Sequence, residues 1–169
     1  MLPLLIKYLQ NAEHVLNSKP LETSVSITIK EPQTPKEFEA YYLLRYDILR
    51  KPWNQPIGSE KDANEDSSIH IMAFDQHNTV VGVCRLQFNS KTEAQLRFMG
   101  VKTNTQGLGI GKQLIIYAEQ KAKQRGATKI ILQAREIAVE FYKKCDYSIV
   151  EKSFLMWDEI QHYLMEKKL

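Results

Sequence analysis

The amino-acid sequence predicts one domain of the mixed α/β class. A chain of 169 residues suits a single hydrophobic core. Hydrophobic residues make up 43% and charged residues 25% of the chain, which is ordinary globular composition. Strand-like and helix-like patterns alternate along the chain, and their order predicts a mixed sheet with helices on both faces.

The N-terminal segment has the pattern of an amphipathic helix. The apolar residues that recur at helical spacing are Leu5, Tyr8, Leu9, Ala12 and Leu16. We expect a helical extension over residues 1–22, followed by the domain over residues 23–169. Such a helix can pack on the domain or on a second subunit, so a homodimer is one expectation. The segment lacks the basic leader and cleavage site of a signal peptide.

The first part of the domain predicts a strand, a helix and a long loop. Residues 25–30 alternate in β-branched residues and predict a strand. Thr34 and Pro35 pair a capping residue with proline at the first helical position, so a helix begins there. Residues 51–68 are rich in Asp, Asn, Pro and Gly, which is typical of a loop that covers a site.

The rest of the chain alternates strands and helices. Apolar residues on one face predict a helix from Ile110 that ends near Gly126, a natural helix stop. Residues 137–144 predict a second helix. Strands are expected over residues 69–74, 79–88, 95–101, 129–133, 147–151 and 160–166.

Charge and cysteine content exclude several classes of protein. The net charge of +3 comes from 23 basic and 20 acidic residues, which are too scattered for nucleic-acid binding but suit a small anionic ligand. Cys84 and Cys145 lack the spacing of a metal site or a disulfide framework, so we expect no metal and a cytoplasmic location. No apolar run is long enough to span a membrane, and we expect no membrane partner.

The segment 98–112 is the most informative part of the chain. Glycines at 107, 109 and 111 let the backbone turn its amides inward, directly before a predicted helix. The positive end of that helix points at the same place, so the segment predicts an anion-binding cradle.

Two other phosphate-binding loops do not match this segment. A P-loop needs Lys-Ser or Lys-Thr after its last glycine, whereas Lys112 is followed by Gln113. A dinucleotide-binding fingerprint needs Gly-x-Gly-x-x-Gly in the first strand-helix unit. Here the glycines have a different spacing and occur late in the chain.

With these motifs the sequence resembles the GNAT superfamily of acyl-coenzyme A-dependent N-acyltransferases. Gln106, Gly109 and Gly111 match its pyrophosphate signature, and residues 138–147 are similar to its later Ala-x-x-x-Tyr-x-x-x-Gly-aromatic segment. Asp146 stands where the family usually has Gly; because Asp tolerates left-handed backbone, we expect the turn to survive. Short pieces resemble the ElaA-like group, namely Leu44-Arg45, Asp62 and Asp66 before His70, Arg85-Leu86, Ala134-Arg135, Ile160-Gln161-His162 and Met165.

The resemblance implies a GNAT-like fold, with a twisted, mostly antiparallel sheet and a splayed parallel pair formed by residues 95–101 and 129–133. It also implies acetyl-coenzyme A as co-substrate, with its pyrophosphate on the loop amides and its thioester carbonyl hydrogen-bonded near Gly100 or Val101. The expected cofactor-binding residues are Met99, Gly100, Val101, Gln106, Gly107, Leu108, Gly109, Ile110, Gly111, Lys112 and Tyr142.

The same resemblance assigns catalytic roles. Tyr142 occupies the position of the acid that protonates the departing thiolate, and a phenol of pKa ~10 can donate to a thiolate whose acid has a pKa of ~8.5. The sequence offers His162, His70 and Glu93 as the base that deprotonates the amine. His162 is the first choice because the resemblance places a His on the last strand, and His70 is the second. A water relay is the alternative to both histidines.

Three further residues are candidates for the acceptor side. Arg45, on a helix stripe, and Arg85, inside a strand, either pair with Asp62 or Asp66 or bind an acidic substrate. Trp53 is either a substrate wall or a loop anchor. The resulting hypothesis is an N-acetyltransferase for a primary amine of a small molecule. The alternatives are a protein N-acetyltransferase, a non-catalytic acyl-coenzyme A sensor without a working base, and a nucleotide-binding module.

Overall fold

A computed structural model describes residues 26–169 of the chain. The predicted helical extension over residues 1–22 and the start of the first predicted strand lie outside the described residues. Within the described part, no helix is both long enough and apolar enough to cross a membrane.

Strands and helices follow the predicted order. Their bounds are β1 Thr28–Lys30, α1 Pro35–Leu49, β2 Ile69–Phe74, β3 Val80–Phe88, β4 Glu93–Val101, α2 Ile110–Gln124, β5 Lys129–Arg135, α3 Val139–Lys143, β6 Ser148–Met156 and β7 Ile160–Lys168. Short 3-10 turns occupy Lys51–Trp53, Thr103–Thr105 and Glu136–Ala138. The helix predicted over residues 137–144 is therefore shorter than expected, because its first residues form the last of these turns.

The seven strands of the described region form one sheet in the order β1-β2-β3-β4-β5-β7-β6. The pair β4 and β5 is parallel, and the other neighbouring pairs are antiparallel. The mixed, mostly antiparallel sheet that the sequence predicts is thus confirmed.

The parallel pair separates halfway along its length. Pairing begins with Glu93 beside Lys129 and ends with Leu96 beside Leu132, although β4 continues to Val101. The other edge of β5 stays paired with β7 along its whole length. The two strands therefore open into a gap at their carboxyl ends, which confirms the splayed pair.

A β-bulge lies in β4 at the start of this gap. Arg97 is the partner of Arg85 and Gly100 is the partner of Val83, so two residues of β4 lie opposite one residue of β3. Phe98, in the bulge, has a φ of 50°, which is unusual for a bulky residue. The bulge redirects the side chains of β4 where the strands separate.

Helix α1 covers one face of the sheet. Tyr41 and Leu44 pack there against Met72 and Val83. The start of α1 is stabilised as predicted, because the Thr34 hydroxyl accepts a hydrogen bond from the Glu37 amide at 3.2 Å and the Glu37 carboxylate accepts from the Thr34 amide.

Helices α2 and α3 cover the opposite face. The apolar stripe of α2 packs with β2, β3, β4 and β5 in the main core, and its members are Ile110, Leu114, Ile115, Ala118 and Ala122. Gly126, with a φ of 86°, ends the helix as expected. Asp146 has a φ of 68°, so the turn after α3 does survive the replacement of glycine.

Candidate active site

The segment between β4 and α2 is held at its start and open at its end. The Lys102 amide donates to the Val81 carbonyl at 2.8 Å, and the Gln106 side-chain amide donates to the Val101 carbonyl at 3.2 Å. Gly109 then precedes α2 with a φ of 77°, a left-handed conformation that favours glycine. These contacts aim the loop back towards the end of β4.

The amides of residues 107–112 make no hydrogen bond to any other residue of the described region. The first turn of any helix leaves its N–H groups without intrahelical partners, and the helix dipole adds partial positive charge at that end. A row of free amides at a helix N-terminus is suited to binding phosphate. The geometry therefore agrees with the predicted anion cradle.

Gly111 is required for a different reason from the other glycines of the loop. A Cβ at this position would lie 3.0 Å from Phe141 Cζ and 3.3 Å from Met99 Cε. The start of α2 thus touches both α3 and β4. Any larger residue would push the cradle away from the gap between the strands.

Tyr142 reaches from α3 to β4 across the gap. Its hydroxyl lies 3.5 Å from the Met99 sulfur, and its ring packs against Phe141 and Tyr147. Burial raises the pKa of Tyr142 well above its ordinary value. The phenol is therefore protonated at neutral pH and can act as a proton donor but not as a base.

Gln133 provides a further polar group on β5, beyond the last paired residue of the parallel ladder. Its side-chain Oε1 is buried and has no hydrogen-bond partner in the described region. Buried polar atoms are normally satisfied. An orphaned acceptor at this position is consistent with a ligand that enters the gap.

His162 lies at the end of the gap, paired in register with Arg135, the last residue of β5. Its Nδ1 is 2.9 Å from the Ile160 carbonyl, and because a carbonyl only accepts, the proton sits on Nδ1 and Nε2 carries the lone pair. The ring stacks on Phe154 at 4.5 Å. Burial lowers the pKa of His162, and the charge of Arg135 adds to the effect. At neutral pH His162 is thus uncharged, and its Nε2 has no hydrogen-bond partner among residues 26–169.

The structure does not bring the other two candidate bases to the gap. His70 lies in an aromatic cage under α1 formed by Phe38, Tyr41 and Tyr42, and its Nε2 donates to the Glu65 carbonyl at 3.0 Å. Burial lowers the pKa of His70.

Glu93 lies at the opposite end of β4 from the gap. Its carboxylate pairs with Lys129 at 2.8 Å. It starts the strand, seven residues before Gly100, which corresponds to roughly 20 Å along an extended chain. Neither geometry supports His70 or Glu93 as the base.

Arg45 and Arg85 form a buried ion-pair network. Both are 0% exposed, and both bind Glu65, with Arg45 making bonds of 2.8 and 3.0 Å. Arg85 also makes two bonds to Asp62, of 2.6 and 2.9 Å, and these hold the pKa of Asp62 at about 2. The predicted pairing with Asp62 is present, but the second partner is Glu65 and not Asp66, because Asp66 is exposed to solvent.

Trp53 packs against Trp157 on the turn between β6 and β7, with ring centroids 6.1 Å apart. Arg135 lies 5.9 Å from the Trp53 ring. Trp53 therefore faces the end of the gap, on the side of the sheet that α1 covers.

Several residues of this region could not be identified from the sequence. The missed residues are Arg50, Arg97, Phe98 and Trp157. Arg135 was noted only as part of the pair Ala134-Arg135, through the family resemblance. The other residues are brought together by the bulge in β4 and the turn between β6 and β7. Neither feature has a local pattern in the sequence.

A sheet parted at its parallel pair, with free amides at a helix N-terminus and a buried phenol beside the gap, is the arrangement expected of the acyl-transferring enzymes that the sequence resembles. A family model described as the acetyltransferase (GNAT) family matches residues 33–147. The chain therefore belongs to the acetyltransferase (GNAT) family, and it is an acyltransferase.

Individual relatives agree with this assignment. The uncharacterised N-acetyltransferase YjcF of Bacillus subtilis (strain 168) is 32% identical over 118 residues, which are 69% of this chain and 82% of YjcF. The crystal structure of Escherichia coli ElaA has the same fold, with a TM-score of 0.71 at 14% identity over 85% of this chain and 99% of ElaA. An aminoglycoside 6′-N-acetyltransferase complexed with coenzyme A gives a TM-score of 0.70 at 20% identity, over 83% of this chain and 96% of that one.

Proposed function

We propose that this enzyme transfers the acetyl group of acetyl-coenzyme A to a primary amine of a small molecule, by direct attack in a ternary complex. The observation that carries the proposal is the gap between β4 and β5 beyond Leu96 and Leu132. The gap joins the free amides near α2, on one face of the sheet, to the Trp53 region on the other face. A thioester held from one side can thus meet an amine that enters from the other.

The residues around the gap fit coenzyme A. The free amides of residues 107–112 suit its pyrophosphate, and the orphaned Gln133 acceptor suits a donor in the gap. A protein of the same fold is complexed with coenzyme A. The residues that would hold it are Met99, Gly100, Val101, Gln106, Gly107, Leu108, Gly109, Ile110, Gly111, Lys112 and Tyr142.

Acetyl-coenzyme A supplies the acetyl group as a thioester. The amine nitrogen forms a bond to the carbonyl carbon, the carbon–sulfur bond breaks, and the thiolate takes the Tyr142 proton. His162 takes the proton that the amine loses, through its free Nε2. Backbone amides near Gly100 or Val101 stabilise the charge that develops on the carbonyl oxygen.

For the acceptor we propose a small molecule. Trp53 and Trp157 lie close together over the end of the gap, and loop 51–68 holds one of them in place. A protein lysine or N-terminal amine is the competing acceptor class.

The two free cysteines support a cytoplasmic location.

Calorimetry with acetyl-coenzyme A, followed by a transfer assay on a panel of amines, tests the proposal. We expect binding of the thioester together with release of free coenzyme A when an acceptor is added. Tight binding without transfer to any amine would favour a sensor. Stabilisation by ATP or NAD, but not by coenzyme A, in a thermal shift would favour a nucleotide-binding module.

The cradle itself is tested by Gly109→Ala. A methyl group at this position has no neighbour within 4 Å, so the substitution strains the left-handed backbone and places a Cβ on the open loop. We expect the Kd for coenzyme A to rise about tenfold or more, which is about 1.4 kcal/mol. Gly58→Ala is the matched control, since Gly58 has a φ of 96° and equally open space. Equal affinities of the two variants would contradict the assignment of the cradle.

The base is tested by the pH dependence of His162→Gln. The pKa of His162 is lowered from its ordinary value of ~6.5, so the base is neutral and the transfer rate is highest at neutral pH. The rate is lost only as the pH falls through that lowered pKa. We expect His162→Gln to reduce kcat/KM about 100-fold and to remove this acid limb. His77→Gln, in the exposed turn after β2, is the control. If the acid limb persists in His162→Gln, a water relay or another group is the base.

A further inference from the structure

Four guanidinium groups surround the Phe98 ring in the bulge of β4. Their central carbons lie 3.5 Å (Arg45), 4.7 Å (Arg85), 5.0 Å (Arg97) and 5.5 Å (Arg50) from the ring centroid. The ring face attracts each cation weakly. The ring does not neutralise their charge, so the net charge here depends on the carboxylates nearby.

Not all of this positive charge is compensated. Glu65 and Asp62 neutralise Arg45 and Arg85. Arg97 shares Asp62 with Arg85, at the longer distance of 3.5 Å.

Arg50 and Arg135 have no carboxylate oxygen within 4 Å among residues 26–169. Their hydrogen bonds go to backbone carbonyls, from Arg50 to Ser59 at 2.9 Å and from Arg135 to Leu49 at 3.4 Å. The buried Glu60 carboxylate attracts Arg50 but accepts its hydrogen bond from the Gly58 amide.

Arg50, Arg97 and Arg135 are partly removed from water. Burial lowers the pKa of all three, and the charges of neighbouring arginines lower the pKa of Arg50 and Arg97 further. Guanidinium groups in such surroundings are stabilised by an anion that offers paired oxygen acceptors.

Two aromatic walls enclose these arginines. Trp53 lies beside Arg135, and Trp157 lies 5.5 Å from Arg50. Trp157 and Asp158 both have positive φ, 53° and 57°, a conformation that is costly for a tryptophan and that clusters at functional sites. The turn between β6 and β7 thus holds the second indole over the arginines.

The same group of residues adjoins the proposed base. Arg135 is the register partner of His162 across β5 and β7. In a ligand that contacts both Arg135 and His162, the amine and the anionic group would therefore be only a few bonds apart.

We propose that the acceptor amine carries an anionic group, a carboxylate or a phosphate, bound by Arg50, Arg97 and Arg135 between the two tryptophans while its amine faces His162. This inference rests on the proposed acetyltransferase function and narrows its substrate class. Polycationic amines such as aminoglycosides are excluded from this site by charge repulsion, although an aminoglycoside acetyltransferase shares the fold.

Tryptophan fluorescence reports on the site directly, because Trp53 and Trp157 are the two tryptophans of the chain. Titrations use N-acetyl amino acids as carboxylate probes, inorganic phosphate as the phosphate probe, and amino acid amides and spermidine as neutral and cationic probes. We expect saturable changes with the anions alone. Arg135→Gln should weaken the anion response at least tenfold, with Arg97→Gln as a second variant in case the first does not fold. Arg125→Gln, at the exposed end of α2, is the matched control.

Transfer assays give the second arm of the test. The matched acceptors are L-amino acids against their amides, and O-phosphoethanolamine against ethanolamine, with spermidine and kanamycin as polycations. We expect at least tenfold higher kcat/KM for the anionic member of a pair, and Arg135→Gln should reduce this preference to about twofold or less.

The outcomes separate this inference from the proposed function. The proposal of an anionic acceptor is wrong if neutral or polycationic amines react as well as anionic ones. It is also wrong if the anions leave the fluorescence unchanged. Neither result contradicts the proposed acetyltransferase function. Absence of acetyl-coenzyme A binding in calorimetry overturns the transferase itself. Which anion gives the larger response decides between carboxylate and phosphate.

Discussion

Tyr142→Phe is expected to lower kcat by about 100- to 10,000-fold, the range that general acid catalysis supplies, while leaving the affinity for acetyl-coenzyme A nearly unchanged. Among the described residues the hydroxyl donates a hydrogen bond only to the Met99 sulfur, at 3.5 Å, so its removal breaks no strong bond. The ring keeps its packing against Phe141 and Tyr147. Single-turnover transfer and calorimetry on the same preparation measure the two effects.

Tyr147→Phe is the control for this substitution. Tyr147 is also buried, belongs to the same aromatic group, and has a hydroxyl without a hydrogen-bond partner in the described region. It should retain wild-type turnover. If Tyr142→Phe matches Tyr147→Phe in rate, the departing thiolate takes its proton from another source and the assignment of the acid is wrong.

Glu65→Gln is expected to destabilise the fold by about 3–5 kcal/mol, the cost of leaving buried charge without its partner. Glu65 binds Arg45 and Arg85, both without solvent exposure. Burial opposes ionisation of Glu65, but hydrogen bonds and charge from the two arginines hold its pKa below the ordinary value. A neutral amide cannot replace that charge. Urea denaturation followed by circular dichroism measures the loss.

Asp66→Asn makes the same change of charge at the next residue of the same loop. Asp66 is exposed and makes no ion pair within the described residues, so its replacement should change stability by less than about 0.5 kcal/mol. Comparable losses in the two variants would show that the network contributes little to stability.

Local sequence patterns predicted most of the sheet and helices. The capping pair Thr34 and Pro35 marked the start of α1, and Gly126 marked the end of α2, because both signals depend on neighbouring backbone alone. The predicted strand boundaries were wrong where pairing with a distant strand decides them. Strand β6 runs to Met156, five residues past the prediction, because β7 continues to pair with it.

The candidate site was predictable in part. The loop from Gln106 to Gly111 has a motif of its own, and Tyr142 was identified by its place in a second motif. Their catalytic and binding roles stay predictions. The order of elements along the chain does not predict which of the three candidate bases lies at the gap. In the structure, the register of β5 with β7 brings His162 to the end of the gap, and His70 and Glu93 lie elsewhere.

By itself, the sequence determined the family, the order of strands and helices and the glycine-rich loop before α2, since these depend on residues that are close together in the chain. The tertiary structure alone decided where the parallel strands part, that Glu65 pairs with Arg45 and Arg85, and that Trp53 meets Trp157. Those contacts join segments 20 to about 100 residues apart through the bulge at Phe98 and the turn at Trp157. Such contacts depend on sheet register and buried charge, and neither has a local signal in the chain.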